Sequence, residues 1–218
     1  MAKVGVILAG CGHRDGAEIR EAVLTLLALE KAGIDYECLA PDVEQRDVVD
    51  HLTGEPAKGE RRNVLHEAAR IARGAVRPTA SVAATEFGGL LIPGGYGAAK
   101  NLCDFAIKGP DCTVEPSVAR LIRDTHSQGK PIGFICIAPA LAARLIPGVR
   151  LTIGSDPATA EALEKMGARH VECFSDSFVS DDEKKVLSTP AYMCDATLPQ
   201  IAAGIEAMVR RLGEMIAR

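Results

Sequence analysis

Apolar residues fall along this chain in short unbroken runs, and amphipathic stretches lie between them. Val4 to Ala9 contains no polar side chain, as a strand buried on both faces requires. Asp15 to Ala32 has helical periodicity and stops at Gly33. Tyr36 to Ala40 reads as a second strand, Gly88 to Gly95 as a buried strand ending in a double-glycine turn, and Pro131 to Ile135 as the next. Helices are expected over 63–73, 114–129, 139–145, 157–166 and 197–217, with a short one over 79–86. Shorter strands are expected at 151–153, 170–173, 177–180 and 185–188. Pro41 to Glu60 is long and polar, either an excursion from the sheet or a functional loop. Repeated strand–helix units imply an α/β fold with a mainly parallel sheet and helices on both faces. Ligands in such sheets sit beyond the carboxyl ends of the strands, which singles out the loops at 10–18, 93–101 and 136–139.

With 218 residues, the chain suits one large domain spanning 1–218. Its net charge is −4 with both signs interspersed. No basic stripe carries interleaved aromatics, so nucleic acid is not an expected partner. No apolar run approaches the roughly 18 residues of a membrane span. The opening residues lack a signal-peptide pattern. Seven cysteines, an odd number at wide spacings without a C-x-x-C pair, argue for free thiols rather than a zinc site or redox pair. Together these features lead to the expectation of a cytoplasmic protein.

Cys136 stands where the apolar run of "KPIGFICIAPAL" breaks off and a helix begins. A thiol at a helix N-terminus is stabilised as thiolate by the helix dipole. The turn parallels a nucleophile elbow, with Ala138 in place of its second glycine and Phe134 in place of its first. The residues alone leave a packed cysteine and a reactive one open. In "IPGGYGAAKNL", Gly94 and Gly95 can form a plain turn or turn amides toward an oxyanion. Asp15 followed by Glu18 has capping-box spacing; the alternative is that Glu18 reaches the cysteine and exchanges protons. Gly10-Cys11-Gly12 invites a dinucleotide reading, but Gly16 falls one residue late for it. His13 lies within reach of the site, whereas His51, His66 and His126 read as ordinary surface or helix residues. The histidines fit no metal pattern.

In this order, the three loops resemble the class I glutamine amidotransferase-like superfamily that includes DJ-1 and the PfpI peptidases. Within it the chain resembles the ElbB branch, the isoprenoid-biosynthesis-associated amidotransferase-like proteins, through "GVILAGCG", "DGAEIREAVLTLLAL", "HLTGE", "IPGGYGAAKNL", "GKPIGFICIAPA", "LTIGSD" and "STPAYM". The resemblance implies a flavodoxin-like three-layer sandwich, a homodimer and a reactive Cys136. It also implies Glu18 as the carboxyl beside that cysteine, and Gly94 or Gly95 with Ile137 as oxyanion-hole positions. Asn101 and His13 join them as substrate-binding candidates. The activity it implies is glutathione-independent conversion of glyoxal to glycolate, with protein deglycase activity as proposed underlying chemistry and no metal or organic cofactor. Many relatives carry a histidine after the cysteine, and "RLTIGSDPAT" has none. The competing reading is a thiol-based redox sensor or binding protein without significant turnover.

Overall fold

A computed structural model of the chain describes residues 3–217. Its strands are β1 (Val4–Ile7), β2 (Tyr36–Ala40), β3 (Val76–Pro78), β4 (Gly89–Ile92), β5 (Ile132–Ile135), β6 (Arg150–Leu151), β7 (Arg169–His170), β8 (Val179–Asp181) and β9 (Val186–Thr189). Seven of them form one sheet in the order β3-β2-β1-β4-β5-β9-β8. Every pairing in it is parallel except β8 with β9. Every residue of β1, β4, β5 and β9 is buried, which is why the first three read as unbroken apolar runs; β9 buries Ser188 and Thr189 beside its two apolar residues.

The helices are α1 (Ile19–Lys31), α2 (Val64–Ile71), α3 (Tyr96–Lys100), α4 (Phe105–Lys108), α5 (Pro116–Ser127), α6 (Pro139–Leu145), α7 (Pro157–Lys165) and α8 (Leu198–Ile216). α1 packs on α8, which also covers β5 and β9, while α2 lies against β2 and β3. α5 covers β4 and β5, on the opposite face as right-handed crossovers require. The expected α/β class with a mainly parallel sheet is the observed one. Among the described residues, no helix is long and apolar enough to cross a membrane.

Several elements differ from expectation for local reasons. α1 begins at Ile19 rather than near Asp15, because the Glu18 carboxylate accepts the Glu21 amide at 2.6 Å and caps the helix there. β3 was not anticipated: three residues carry no period, and its Pro78 is tolerated at a sheet edge. The stretches expected as strands at 151–153 and 170–173 shrink to a separate two-stranded pair, β6 with β7. Thr79 to Glu86 forms two single 3₁₀ turns.

The 41–60 segment is an excursion that folds back over the carboxyl end of β1. It is closed by the antiparallel bridge of Val49 with Pro56. The Val49 amide donates to Asp15 at 2.8 Å, tying the excursion to the first loop.

Candidate active site

β5 ends at Ile135, and the next residue, Cys136, has φ +62°. That left-handed conformation costs a non-glycine residue on the order of 1–3 kcal/mol and persists only when its surroundings enforce it. The enforcement is visible: the Cys136 amide donates to Thr189 of β9 at 2.9 Å, and the Ala138 amide returns to Ile135 at 3.0 Å. Pro139 then opens α6. The turn is therefore an elbow in which a sharp reversal presents the side chain at the sheet's carboxyl end.

The sulfur is surrounded by three groups. The Gly95 and Ile137 amides and the Glu21 carboxyl all face it. Glu21 is fully buried in the first turn of α1. Its Oε2 accepts the Gly94 amide at 3.0 Å and its Oε1 the Tyr192 amide at 3.3 Å. Burial, reinforced by the Glu18 charge, pushes the Glu21 carboxyl up to about 8, so it holds its proton at neutral pH. Burial and the Glu21 charge also push the Cys136 thiol up, against the pull of the two amides.

Gly94 sits directly behind this pair. A Cβ there would lie 2.8 Å from Glu21 Oε2 and closer still to the Cys136 Cβ. Gly94→Ala is therefore expected to destabilise the protein by about 1–3 kcal/mol, as overpacking of a filled core does. A urea-unfolding midpoint equal to wild type would contradict that crowding.

These facts correct three expectations and decide between two alternatives. The carboxyl beside the cysteine is Glu21, one helical turn beyond Glu18; Glu18 caps α1 and lines the cavity described below. Of the two turn glycines, Gly95 supplies an amide to the sulfur as expected, whereas the Gly94 amide is used by Glu21. Asn101 is not in the cavity wall but is a structural tie. Its Nδ2 donates to Ala9 at 3.0 Å and to Asp15 at 2.8 Å, and its Oδ1 accepts the Arg46 amide at 3.0 Å. The thiol is not lowered by a helix dipole. Cys136 is only 7% exposed, and its burial outweighs what a seven-residue helix and two amides supply.

Cys136, Gly95 and Ile137 open onto a cavity of about 780 Å³. Ile19, Tyr96, Phe105 and Met193 make much of its wall apolar, and Arg20 and Tyr192 contribute polar groups. His13 lines it as expected; His51 lines it too, carried there by the excursion. Among the described residues, no cluster of His, Cys, Asp and Glu could hold a metal ion. All seven cysteines are free. Glu21 had a signal in the sequence, since it shares the buried stripe of α1 with Ala22, Thr25 and Ala28, where an unpaired carboxyl needs a reason. His51 had none, because nothing local aims that loop at the cysteine.

A mainly parallel sheet with a left-handed cysteine at a strand–helix elbow, cradled by two amides and a buried carboxyl, is the arrangement of a class I glutamine amidotransferase-like protein. No family model matches the chain, but whole-length relatives do. It belongs to the family of the mitochondrial ES1 proteins. Over 227 residues it is 44% identical to the human "glutamine amidotransferase-like class 1 domain-containing protein 3, mitochondrial", covering 100% of this chain and 84% of that one. It is 33% identical to the zebrafish "ES1 protein, mitochondrial" over 233 residues, covering 99% and 86%. The crystal structure of an isoprenoid biosynthesis protein with an amidotransferase-like domain from Ehrlichia chaffeensis superposes with a TM-score of 0.90 at 40% identity, covering 97% and 99% of the two chains. A DJ-1 superfamily protein from Salmonella typhimurium matches at TM-score 0.59 and 23% identity, over 100% and 93%, and shares the fold. The cytoplasmic expectation does not stand, because the curated relatives are named as mitochondrial proteins.

Proposed function

We propose that the protein is a cysteine-dependent glyoxalase that converts glyoxal to glycolate without glutathione. The observation that carries this reading is the juxtaposition of the Cys136 thiol and the buried Glu21 carboxyl, with the Gly95 and Ile137 amides facing the sulfur, open to a cavity. Ionised Glu21 accepts the thiol proton as sulfur bonds to one aldehyde carbon, giving a hemithioacetal. The amides that face the sulfur are placed to hold the oxygen on the attacked carbon. That carbon gives up its proton, an enediolate forms, and a proton is returned to the neighbouring carbon. The product is a glycolyl thioester: one carbon is oxidised, the other reduced, and no external electron carrier is needed. Water then cleaves the thioester, releasing glycolate and regenerating the thiol.

A carboxyl poised at about 8 suits a base working near neutral pH. The same raised thiol weighs against the sensor reading, since peroxide reacts with accessible thiolate.

The test follows glyoxal and glycolate by NMR between pH 5 and 9. The expected kcat/KM climbs about tenfold per pH unit and levels off once Glu21 ionises at about 8. Glycolate formation no faster than in the protein-free control would overturn the proposal.

A further inference from the structure

The reaction above needs a group that moves a proton from the carbon bonded to sulfur to its neighbour, and the carboxyls are engaged elsewhere. Glu21 is enclosed by the Gly94 and Tyr192 amides and the sulfur, and Oε2 of Glu18 holds the Glu21 amide. His13 lines the same cavity, and among the described residues neither of its ring nitrogens has a hydrogen-bond partner.

The backbone fixes where His13 sits. Its carbonyl accepts the Tyr96 amide at 2.7 Å, and the Gly16 carbonyl accepts the Gly97 amide at 2.9 Å. The first loop is thereby stitched to the turn whose Gly95 amide faces the sulfur. The His13 ring meets His51 edge to face, with centroids 5.1 Å apart and planes at 79°. His51 is held on both sides: Nδ1 donates to the Val49 carbonyl at 3.0 Å, and Nε2 accepts the Arg14 amide at 3.3 Å. Asp15 is 2% exposed. Its Oδ1 has no hydrogen-bond partner among the described residues and lies 3.7 Å from His51 Nε2. Gly12, at φ +129°, makes room for this contact; a Cβ there would lie 2.7 Å from the His51 ring and 2.9 Å from Asp15 Oδ1.

We propose that His13 is the proton carrier between the two substrate carbons and that His51, anchored by Val49, Arg14 and Asp15, is the residue that positions it. The assignment rests on the aldehyde chemistry proposed above. His13 takes the proton from the carbon bonded to sulfur and becomes imidazolium. The electron pair left behind forms the enediolate, and the imidazolium returns the proton to the second carbon. The charged and titratable groups around the pair are Asp15, Glu18, Arg14 and, across the cavity, Arg20. Burial, followed by His51 and Arg14, holds the His13 imidazole below its ordinary value, so at neutral pH it is free to accept a proton.

Two experiments separate this assignment from the function on which it rests. Imidazole C–H resonances titrated by NMR, with His13→Ala to assign the signal, are expected to place the His13 midpoint below the ordinary imidazole value. In His51→Ala that midpoint moves upward. In glyoxal assays, His13→Ala loses roughly 100-fold in kcat with little change in KM, and added imidazole restores part of it. Wild-type kcat in His13→Ala, or a His13 midpoint unmoved in His51→Ala, overturns the proposal. A wild-type protein inert toward glyoxal removes the proton-carrier role along with the glyoxalase reading, while the titration still decides the positioning.

Discussion

Exchange of Cys136 for alanine is expected to cut glyoxal consumption by roughly 10³-fold or more, as loss of a covalent nucleophile does. The sulfur is the atom that bonds to carbon, and no other cysteine lines the cavity. The fold should survive. Alanine keeps the Cβ, fits the space the thiol leaves and meets the same left-handed backbone demand that cysteine meets. The side chain is small and buried, so its loss costs about 1 kcal/mol. Steady-state glycolate production beside far-ultraviolet circular dichroism checks both parts. A folded alanine variant with wild-type turnover would remove the thiol from the reaction.

Glu21→Gln is expected to do the opposite to stability, in a pH-dependent way. In the unfolded chain this carboxyl ionises near 4.3, whereas in the native protein it stays protonated up to about 8. Below the lower value both states carry the proton, and the full stability of the native state is present. As pH rises between the two values, the unfolded state loses its proton first and is progressively favoured. The loss is about 1.4 kcal/mol per unit, on the order of 4 kcal/mol by pH 8, and changes little beyond. Glutamine has a similar shape without the proton to lose. Its NH2 cannot accept the backbone amide that one carboxyl oxygen accepts, which costs about 1–3 kcal/mol at every pH. The variant should therefore start below wild type near pH 4 and gain on it by several kcal/mol toward pH 8, visible as a melting-temperature difference that changes with pH. A difference that stays constant from pH 4 to 8 would show that burial does not raise the Glu21 carboxyl. Catalysis should fall in the same variant, since the thiol loses its proton acceptor; stability and function pull against each other at this residue.

The parts of the fold carried by apolar periodicity were legible in the sequence. β1, β4 and β5 stand where unbroken apolar runs place them, β2 and β9 stand on shorter mixed stretches, and α7 and α8 lie within a residue or two of their expected bounds. What escaped was set by distant contacts. β3 exists because its three residues pair with β2, and the two-residue β6–β7 pair has too little length to show a period. At the site, Cys136, Gly95 and Ile137 were legible because an elbow is a local event. Glu18 drew attention through loop position and capping spacing, yet a carboxylate that caps a helix is turned to its own backbone; the residue one turn later faces the sheet. Asn101 lay in the right stretch, but its amide is consumed by backbone groups of two other loops. His51 could be found only once the excursion was folded, since it is brought to the cavity by the bond from the Val49 amide to Asp15 and by its own bond from the Arg14 amide.

The bond from the Cys136 amide to Thr189, together with that from the Tyr192 amide to Glu21, ties the centre to a region of the chain synthesised long after the cysteine itself. Until β9 has docked, nothing obliges Cys136 to keep its unfavourable backbone angle or Glu21 to stay in its socket. Assembly of the reactive centre thus waits on translation of the C-terminal portion, and a nascent or truncated chain carries only an ordinary cysteine.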